Sequence, residues 1–566
     1  MQKTDISVLD LVTMVEKGEL RLPEMQRGYV WRGTRVRDLL DSLYRGYPSG
    51  NILVWETDVA MPLREMAVGQ QDSPFKGFKL LLDGQQRLTS LSAALRGELI
   101  HVRGRRRPID ILFNLEHPES LEEVLEVDED EDSDPDGVDD DESDDDESIA
   151  ERVQRLTFVV SSRRIAAQPN WVSVTDVFKS DSDAPFLKKA GVANFDDPRY
   201  EKYSQRLQRL RQVRRYMYSV QILERDMSYD EVTEVFVRVN SLGAKLRSSD
   251  LALAQITARW RGALGVFEKF ARECEDEDFP IQLGTLVRAL IVHTTGQSRF
   301  KTVGNLTAEE LKEGWESAVG GLQFAVHFAR NNAGIESPAL LTSPYALLAL
   351  AFLAKTHDHE LTEAEGAALR FWLQIGNGRG RYSRGSSETY LDQDLTLIKN
   401  GKGAVALLDS VRQQFGRIHF DVEEFEGRNR RASLFRLMFQ ALKAVGAKDW
   451  ASGINISVAN YGQEHKLQFH HIFPKALLQS KYSNGQINEI ANLAFIGGRT
   501  NRKISAKAPS DYLPTIISKQ GEAVLSAQCV PLDSKLWQID RYPDFLAERR
   551  KLLAARVNEY VGALPV

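Results

Sequence analysis

The sequence predicts an α+β, multidomain protein, and three observations carry that prediction. At 566 residues the chain exceeds what one hydrophobic core fills, so two to four domains are expected. Its first part alternates short apolar runs of strand type with segments of helical periodicity, whereas helical periodicity dominates from about residue 200 to 430. From about 430 onward the two patterns mix again, around a cluster of histidines and asparagines. The expected division is 1–235, 236–429 (a helical linker) and 430–566.

Taken in order, residues 8–15 and 36–43 read as helices, and 52–55 and 79–82 as strands. A helix follows from about 85 to 95, with Leu88, Leu91 and Leu95 on one face. Residues 109–113 and 156–160 read as strands on either side of an acidic run. That run, 128–147, holds fifteen acidic residues and no basic ones. It cannot bury enough apolar surface to fold and it repels itself, so about 117–150 is expected to be a disordered insertion. A solvating loop is the simple reading; a DNA mimic lying in a basic groove is the alternative. The longest apolar stretch, 345–354, follows Pro344 and is too short for a membrane span, which makes it a buried helix. Leu369, Phe371, Trp372 and Ile375 fall at core spacing, and a charged helix over about 544–561 closes the chain.

Hydrophobic content of 42% and charged content of 27% are ordinary globular values. The formal net charge of −7 becomes +8 when the acidic run is set aside, so a phosphate backbone is a permitted partner. Cys274 and Cys529, far apart, exclude a disulfide framework or a cysteine-based zinc ribbon. The start of the chain lacks a basic segment followed by an apolar core, so no signal peptide is expected. The expectation is a cytoplasmic protein with no membrane partner.

Two constellations carry chemistry. Upstream, the run from Leu80 through Asp83, Gly84, Gln85, Gln86 and Arg87 has the form strand, glycine turn, helix start. Unpaired amides and the dipole at a helix N-terminus favour an anion. Arg87 and the two glutamines add donors suited to phosphate or base. From the residues alone, a plain helix cap with a surface ion pair explains the pattern equally well. Turn-rich segments at 23–31, including Gln26 and Arg27, and at 46–50 precede it. Further on, Arg238 and Asn240 are read as sharing one face of an extended segment.

Downstream, Phe469, His470, His471, Ile472, Phe473 and Pro474 read as a strand end carrying adjacent histidines, followed by Asn492 and Asn501. Breaking a phosphodiester needs an activated water, charge neutralisation and a stabilised leaving oxygen. Neighbouring strand residues point to opposite sides, so one imidazole can face a metal and the other the attacking water. Asn492 is expected to brace the loop through backbone hydrogen bonds, and Asn501 to offer a metal-binding carbonyl. Arg499, Arg502 and Lys503 would meet phosphates. His465 is expected to be a bystander. Histidines packed at a strand end, with asparagines serving turns, are the plain alternative; the ordered set favours a nuclease.

In this order the N-terminal segments resemble the DGQQR-type domain of the ParB/sulfiredoxin-like group, found in GmrSD-type, modification-dependent restriction enzymes, over roughly residues 5–255. The downstream set is similar to the HNH (ββα-metal) nuclease signature that accompanies that domain, over about 430–560. The resemblance implies a ParB/sulfiredoxin-like α/β domain, a helical middle, and a ββα-metal domain within a mostly helical surround. It implies a nucleoside triphosphate of unspecified base, bound and hydrolysed at Gln26, Arg27, Asp83, Gly84, Gln85, Gln86, Arg87, Arg238 and Asn240. No Walker sequence is present, so this would not be a P-loop site. It also implies His471 as general base, His470 and Asn501 as ligands of a divalent metal, and Asn492 as the structural residue. Many HNH sites carry an acidic residue where His470 stands. Imidazole there leaves Mg²⁺, Mn²⁺ and other transition metals as candidates.

The function expected is an NTP-dependent, modification-sensing DNA endonuclease in defence against phage or foreign DNA. One site per chain gives nicking, or a homodimer for a double cut. A nucleotide-switched DNA-binding regulator without cleavage is the main rival, and an RNA-directed nuclease a further one. In the helical middle, 376–386 reads as a Gly/Arg loop. There Arg379, Arg381 and Arg384 would contact phosphate and Tyr382 would stack, unless the segment is simply a mobile linker. Arg428, Arg430 and Arg431 form a second basic cluster assigned to DNA positioning.

Overall fold

A computed structural model describes residues 2–26, 29, 31–58, 63–64, 66, 68–70, 78–102, 107–118, 153–192, 194–242, 248–356, 361–383, 385–416, 418–458 and 466–562. Arg27, Arg384, His465 and the acidic run therefore lie outside the described residues. The chain divides into two compact units, Met1–Leu264 and Gly265–Val566.

Unit 1 is built on a mixed six-stranded sheet. Its strands are β1 (Gln2–Ser7), β2 (Leu20–Pro23), β3 (Ile52–Thr57), β4 (Leu63–Arg64), β5 (Phe78–Asp83) and β9 (Met217–Leu223), in the order β1-β9-β3-β5-β2-β4. β9 runs parallel to β3, and β2 parallel to β5; the other pairings are antiparallel. Both faces are covered, which is why Leu80, Leu81 and Leu82 form a continuous apolar run rather than an alternating one. Ile52, Val54 and Leu81 face the larger core, shared with α1 (Val8–Glu16), α2 (Gly33–Arg45) and α3 (Gln85–Leu95). Leu53, Trp55, Leu80 and Leu82 face a second core with Val232, Phe236 and Ala254 of α6 (Tyr229–Leu242) and α7 (Ser248–Arg259). A smaller antiparallel sheet, β7-β6-β8, joins Ile111–Asn114 (β6) to Phe158–Val160 (β7) and Trp171–Ser173 (β8). Helices α4 (Val174–Lys179) and α5 (Arg199–Arg211) complete the unit.

Two expectations are corrected here. Residues 217–223, inside the stretch read as helical, form β9 between β1 and β3. Residues 236–242, read as extended, lie in α6, because the helical spacing of Val232 and Phe236 buries them against the sheet. In a helix, positions 238 and 240 stand roughly 200° apart, so Arg238 and Asn240 do not share a face.

Unit 2 is largely helical. Among helices α8 (Ala263–Asp276, which crosses the division), α9 (Leu283–Thr295), α10 (Ala308–Asn331) and α11 (Tyr345–Thr356), α10 packs against both α9 and α11, and its Trp315 meets Phe267 and Phe270 of α8. α12 (Glu363–Arg379) lies on α14 (Gly403–Phe415) and on α15 (Ser433–Ala444), and α13 (Ser387–Lys399) lies on α11. α11 is the apolar stretch read from the sequence, buried over Ala346–Leu353. Within this helical frame sits one antiparallel pair, β10 (Leu467–His471) with β11 (Leu493–Gly497). Around it are α16 (Asn484–Ile487), α17 (Gly498–Ile504), α18 (Pro509–Gln520) and α19 (Tyr542–Gly562), the last packed on α15. The architecture is thus mixed α+β: an N-terminal mixed sheet, then a mostly helical remainder. Among the described residues no helix is long and apolar enough to cross a membrane.

Candidate active site

β10 delivers the histidines. In the antiparallel register His470 pairs with Ala494 and His471 with Leu493, and the strand ends there because Pro474 opens the next helical turn. Strand alternation sends the two rings to opposite sides: His470 is 4% exposed, whereas His471 is half-buried. The His470 ring meets Trp450 and Tyr512 edge-on at 5.9 Å each. Burial pushes its pKa down to about 4, so at neutral pH it is the uncharged, ligand-competent imidazole.

α17 follows β11 directly and brings Asn501 to His470, with Nδ1 and Oδ1 2.8 Å apart. The Tyr512 hydroxyl donates to the Ile472 carbonyl at 2.9 Å and lies 3.4 Å from His470 Nε2. A Tyr512 hydroxyl committed in this way can still accept from an Nε2–H, the tautomer that turns the Nδ1 lone pair toward Asn501. Two ligands set at right angles on a divalent cation, with bonds of about 2.1 Å, stand about 3.0 Å apart. The His470–Asn501 spacing therefore fits a shared cation as well as it fits a hydrogen bond. Among the described residues no cluster of three or more His, Cys, Asp or Glu side chains forms a metal site, so the candidate ligands are this imidazole and this amide.

His471 is held from its far side. Its Nε2 lies 3.0 Å from Oδ1 of Asn488, the residue that caps the end of α16. Asn492 is completely buried; its Oδ1 accepts from Phe473 N, and its amide donates to the carbonyls of Phe473 and Ile487. These are the bonds of a loop brace, tying β10's exit to the segment that carries Asn488.

That segment is fastened on every side. Glu489, almost fully buried, accepts a bidentate pair from Arg550 at 2.6 and 2.7 Å and a bond from Gly427 N. Ile490 N donates to the Arg428 carbonyl at 2.7 Å, and buried Arg549 donates to the carbonyls of Ala491 and Gln528. Asp449 does the same for α17. Its carboxylate accepts from Gly497 N at 2.7 Å and Thr500 Oγ1 at 2.8 Å at the start of that helix, and these bonds hold its pKa below the usual range despite burial.

Sequence reasoning missed Asn488, Asp449, Glu489 and Arg549. The Ser483-x-x-Gln486 capping box could have placed Asn488 at a helix end. Glu489 and Arg549 have partners far away in sequence, and Asp449, although it also holds the local Ala451 and Ser452 amides, reaches α17 only through distant Gly497 and Thr500.

The predicted cationic residues separate. Arg499, Arg502 and Lys503 are exposed on α17, one turn around Asn501. The turn with Arg428, Arg430 and Arg431 is stapled to the Asn488–Asn492 segment by the Ile490–Arg428 bond, and Arg428 and Arg431 are exposed. The 376–386 segment is not the loop expected. Residues 376–379 belong to α12, which ends at Gly380. Arg381 is 1% exposed and forms a bidentate pair with buried Asp394, and buried Tyr382 donates to the same carboxylate. Arg379 pairs with Glu424 and lies over Phe420. Arg381 and Tyr382 are therefore structural, and Arg379 is committed to Glu424.

In unit 1 the Asp83–Arg87 segment has the predicted form: β5 ends at Asp83 and α3 begins at Gln85. Gly84 takes φ of +97°, and a Cβ there would lie 2.3 Å from Ile52 Cδ1, so only glycine makes this turn. Among the described residues no side chain caps the helix at Gly84. Arg87 bonds to the carbonyls of Ser49 and Asn51 and to Asp83 at 3.0 Å. Gln26 is buried with its amide on the Leu81 and Leu82 carbonyls, and Gln86 Oε1 accepts from Trp31 N. Arg238 lies exposed on α6 and pairs with Glu234.

Residues 8–257 match the family described as GmrSD restriction endonuclease, N-terminal domain. Unit 1 is a GmrSD N-terminal domain. The GmrSD match covers α1 through most of α7, including the β5–Gly84–α3 turn. A GmrSD N-terminal domain over these residues suggests a DNA-cleaving defence nuclease with DNA as the implied substrate, and nucleases of that family generally use a divalent metal. The uncharacterized protein MJ0686 of Methanocaldococcus jannaschii is 24% identical over 560 residues, covering 92% of this chain and 88% of that protein. The similarity thus runs beyond the GmrSD domain into unit 2.

Proposed function

We propose that the protein is an NTP-dependent, modification-sensing DNA endonuclease of phage or foreign-DNA defence, with an HNH-type site in unit 2. The observation that carries this reading is the β10–β11–α17 arrangement. It brings His470 and Asn501 within 2.8 Å of each other while Asn488 holds the adjacent His471 on the other side of the strand. His471 takes the proton of the attacking water through the ring nitrogen not bonded to Asn488. His470 and Asn501 hold a divalent cation, Mg²⁺ or Mn²⁺, which supplies charge neutralisation at the scissile phosphate. Arg499, Arg502 and Lys503 on α17, with Arg428, Arg430 and Arg431 beside the Asn488 segment, take the flanking phosphates. In unit 1 the uncapped start of α3 receives the triphosphate, with Gly84 permitting close approach and Arg87 adding charge. The DNA-binding regulator without cleavage is disfavoured because a binder has no use for an imidazole oriented in this way.

The test is cleavage of plain and modified duplex DNA by the wild type and by His471→Ala, with and without each NTP, in Mg²⁺ or Mn²⁺. Loss of cutting in the variant with retained DNA binding is expected. A fully active variant would remove His471 from catalysis and with it the HNH reading.

A further inference from the structure

Phe469 on β10 is 42% exposed, whereas Phe495, its partner across the ladder, is 1% exposed. The ring is nonetheless held in place. Phe435 of α15 meets it edge-on at 5.1 Å and Phe495 edge-on at 5.9 Å, and Phe439 backs the cluster 5.0 Å from Phe495. A lone exposed apolar side chain is ordinary on a protein surface; the place of this one on β10 gives it weight. Side chains alternate along a strand, so Phe469 and His471 project from one face and buried His470 from the other. Two residues of strand span about 7 Å, and a duplex rises about 3.4 Å per nucleotide. A phosphate held at His471 therefore has Phe469 within about two nucleotides of it. Cations flank the ring in the chain: exposed Lys466 immediately precedes β10, and exposed Arg431 lies four residues before Phe435, just ahead of α15.

We propose that Phe469 is a DNA wedge: its ring enters the base stack beside the scissile phosphate and unstacks one step, fixing how the strand lies against His471. A preorganised aromatic ring among phosphate-binding cations suits this task, since the cations hold the backbone and the apolar ring takes the base faces. The aromatic cluster behind it means that little side-chain freedom is lost on contact. The inference rests on the nuclease reading for the position of the scissile phosphate, but the contact itself is with bases and does not require cleavage.

The experiment is fluorescence anisotropy of the full-length protein, with chelator present, on a short plain duplex and on the same duplex with two mismatched pairs at its centre. Unstacking costs least at a mismatch, so a wedge prefers it, and the wild type should bind the mismatched duplex roughly tenfold tighter. Phe469→Ala should lose that preference while plain-duplex binding, carried by the cations, remains; Phe469→Trp should keep it. Phe469→Gln, whose methylenes still cover Phe435 and Phe495, should show the same loss as alanine without uncovering the cluster. With Mn²⁺ in place of chelator, wild-type cuts should fall within about two nucleotides of the mismatch, and those of Phe469→Ala should scatter. Equal affinity of the wild type for the two duplexes would overturn the proposal, as would a preference untouched by Phe469→Ala and Phe469→Gln. A Phe469-dependent preference without any cleavage would sustain the wedge and remove the nuclease reading; cleavage without that preference would remove the wedge alone.

Discussion

In the proposed reaction Asn488 selects the nitrogen of His471 that takes the proton. An amide oxygen only accepts, so its 3.0 Å contact places the proton on Nε2 and leaves the lone pair on Nδ1. Asn488→Ala should therefore lower kcat on DNA roughly 10- to 100-fold with little change in KM, the pattern of a lost orienting contact. A proportional rise in KM instead would show a substrate-binding role. Asn492→Ala acts differently. It strips partners from buried Phe473 N, Phe473 O and Ile487 O, and should cost about 3 kcal/mol or more in denaturant unfolding. The residues drawn together here, His470, His471, Asn492 and Asn501, were legible because their types and spacing are chemically unusual. Asn488 was not, because a single asparagine after a short helix looks like any turn residue.

At the scale of elements, the turn before α3 rests on one glycine. Gly84→Ala must adopt φ near +97° and displace Ile52 Cδ1, so unit 1 should lose about 1–3 kcal/mol, and any effect of NTP on cleavage should fall with it. NTP-dependent cleavage that persists unchanged in a folded Gly84→Ala protein would detach the α3 start from the nucleotide. The bounds of α3 were readable because β5 is uniformly apolar and the glycine marks the break. Residues 236–239 misled because Phe, Val, Arg and Val alternate in the manner of a strand. The decisive pattern was the four-residue spacing of Val232 and Phe236, which seats α6 on Trp55 and Leu82. The 376–386 segment misled for another reason: its arginines look solvent-facing, and only distant Asp394 and Glu424 reveal where Arg381 and Arg379 go.

At the scale of the whole molecule, three imidazoles among the described residues are buried in their neutral form. Burial pushes His117 in unit 1 to about 4, and in unit 2 His293 to about 3 and His470 to about 4, from an ordinary 6.5. Each is fitted to neutrality. His117 Nδ1 donates to the Pro118 carbonyl while Nε2 accepts from Tyr44, and His293 Nδ1 meets Ser317 Oγ while its buried Nε2 has no partner among the described residues. Between pH 6.5 and 4 the unfolded chain binds protons that the folded chain refuses, so stability rises with pH across that window. It is fully present above 6.5 and drains away as the pH falls, by about 2 kcal/mol per histidine at pH 5 and on the order of 3 at pH 4. The carboxylates held low, such as Glu56, Glu116 and Asp449, titrate below about 4.5 and cannot account for the upper part of this loss. Denaturant unfolding at pH 7.5, 6 and 5 should thus show stability falling well before the carboxylate range. His293→Gln, which removes one titrating ring, should flatten the slope between pH 6.5 and 5. A slope unchanged by that substitution would mean that the buried imidazole is protonated with the fold intact.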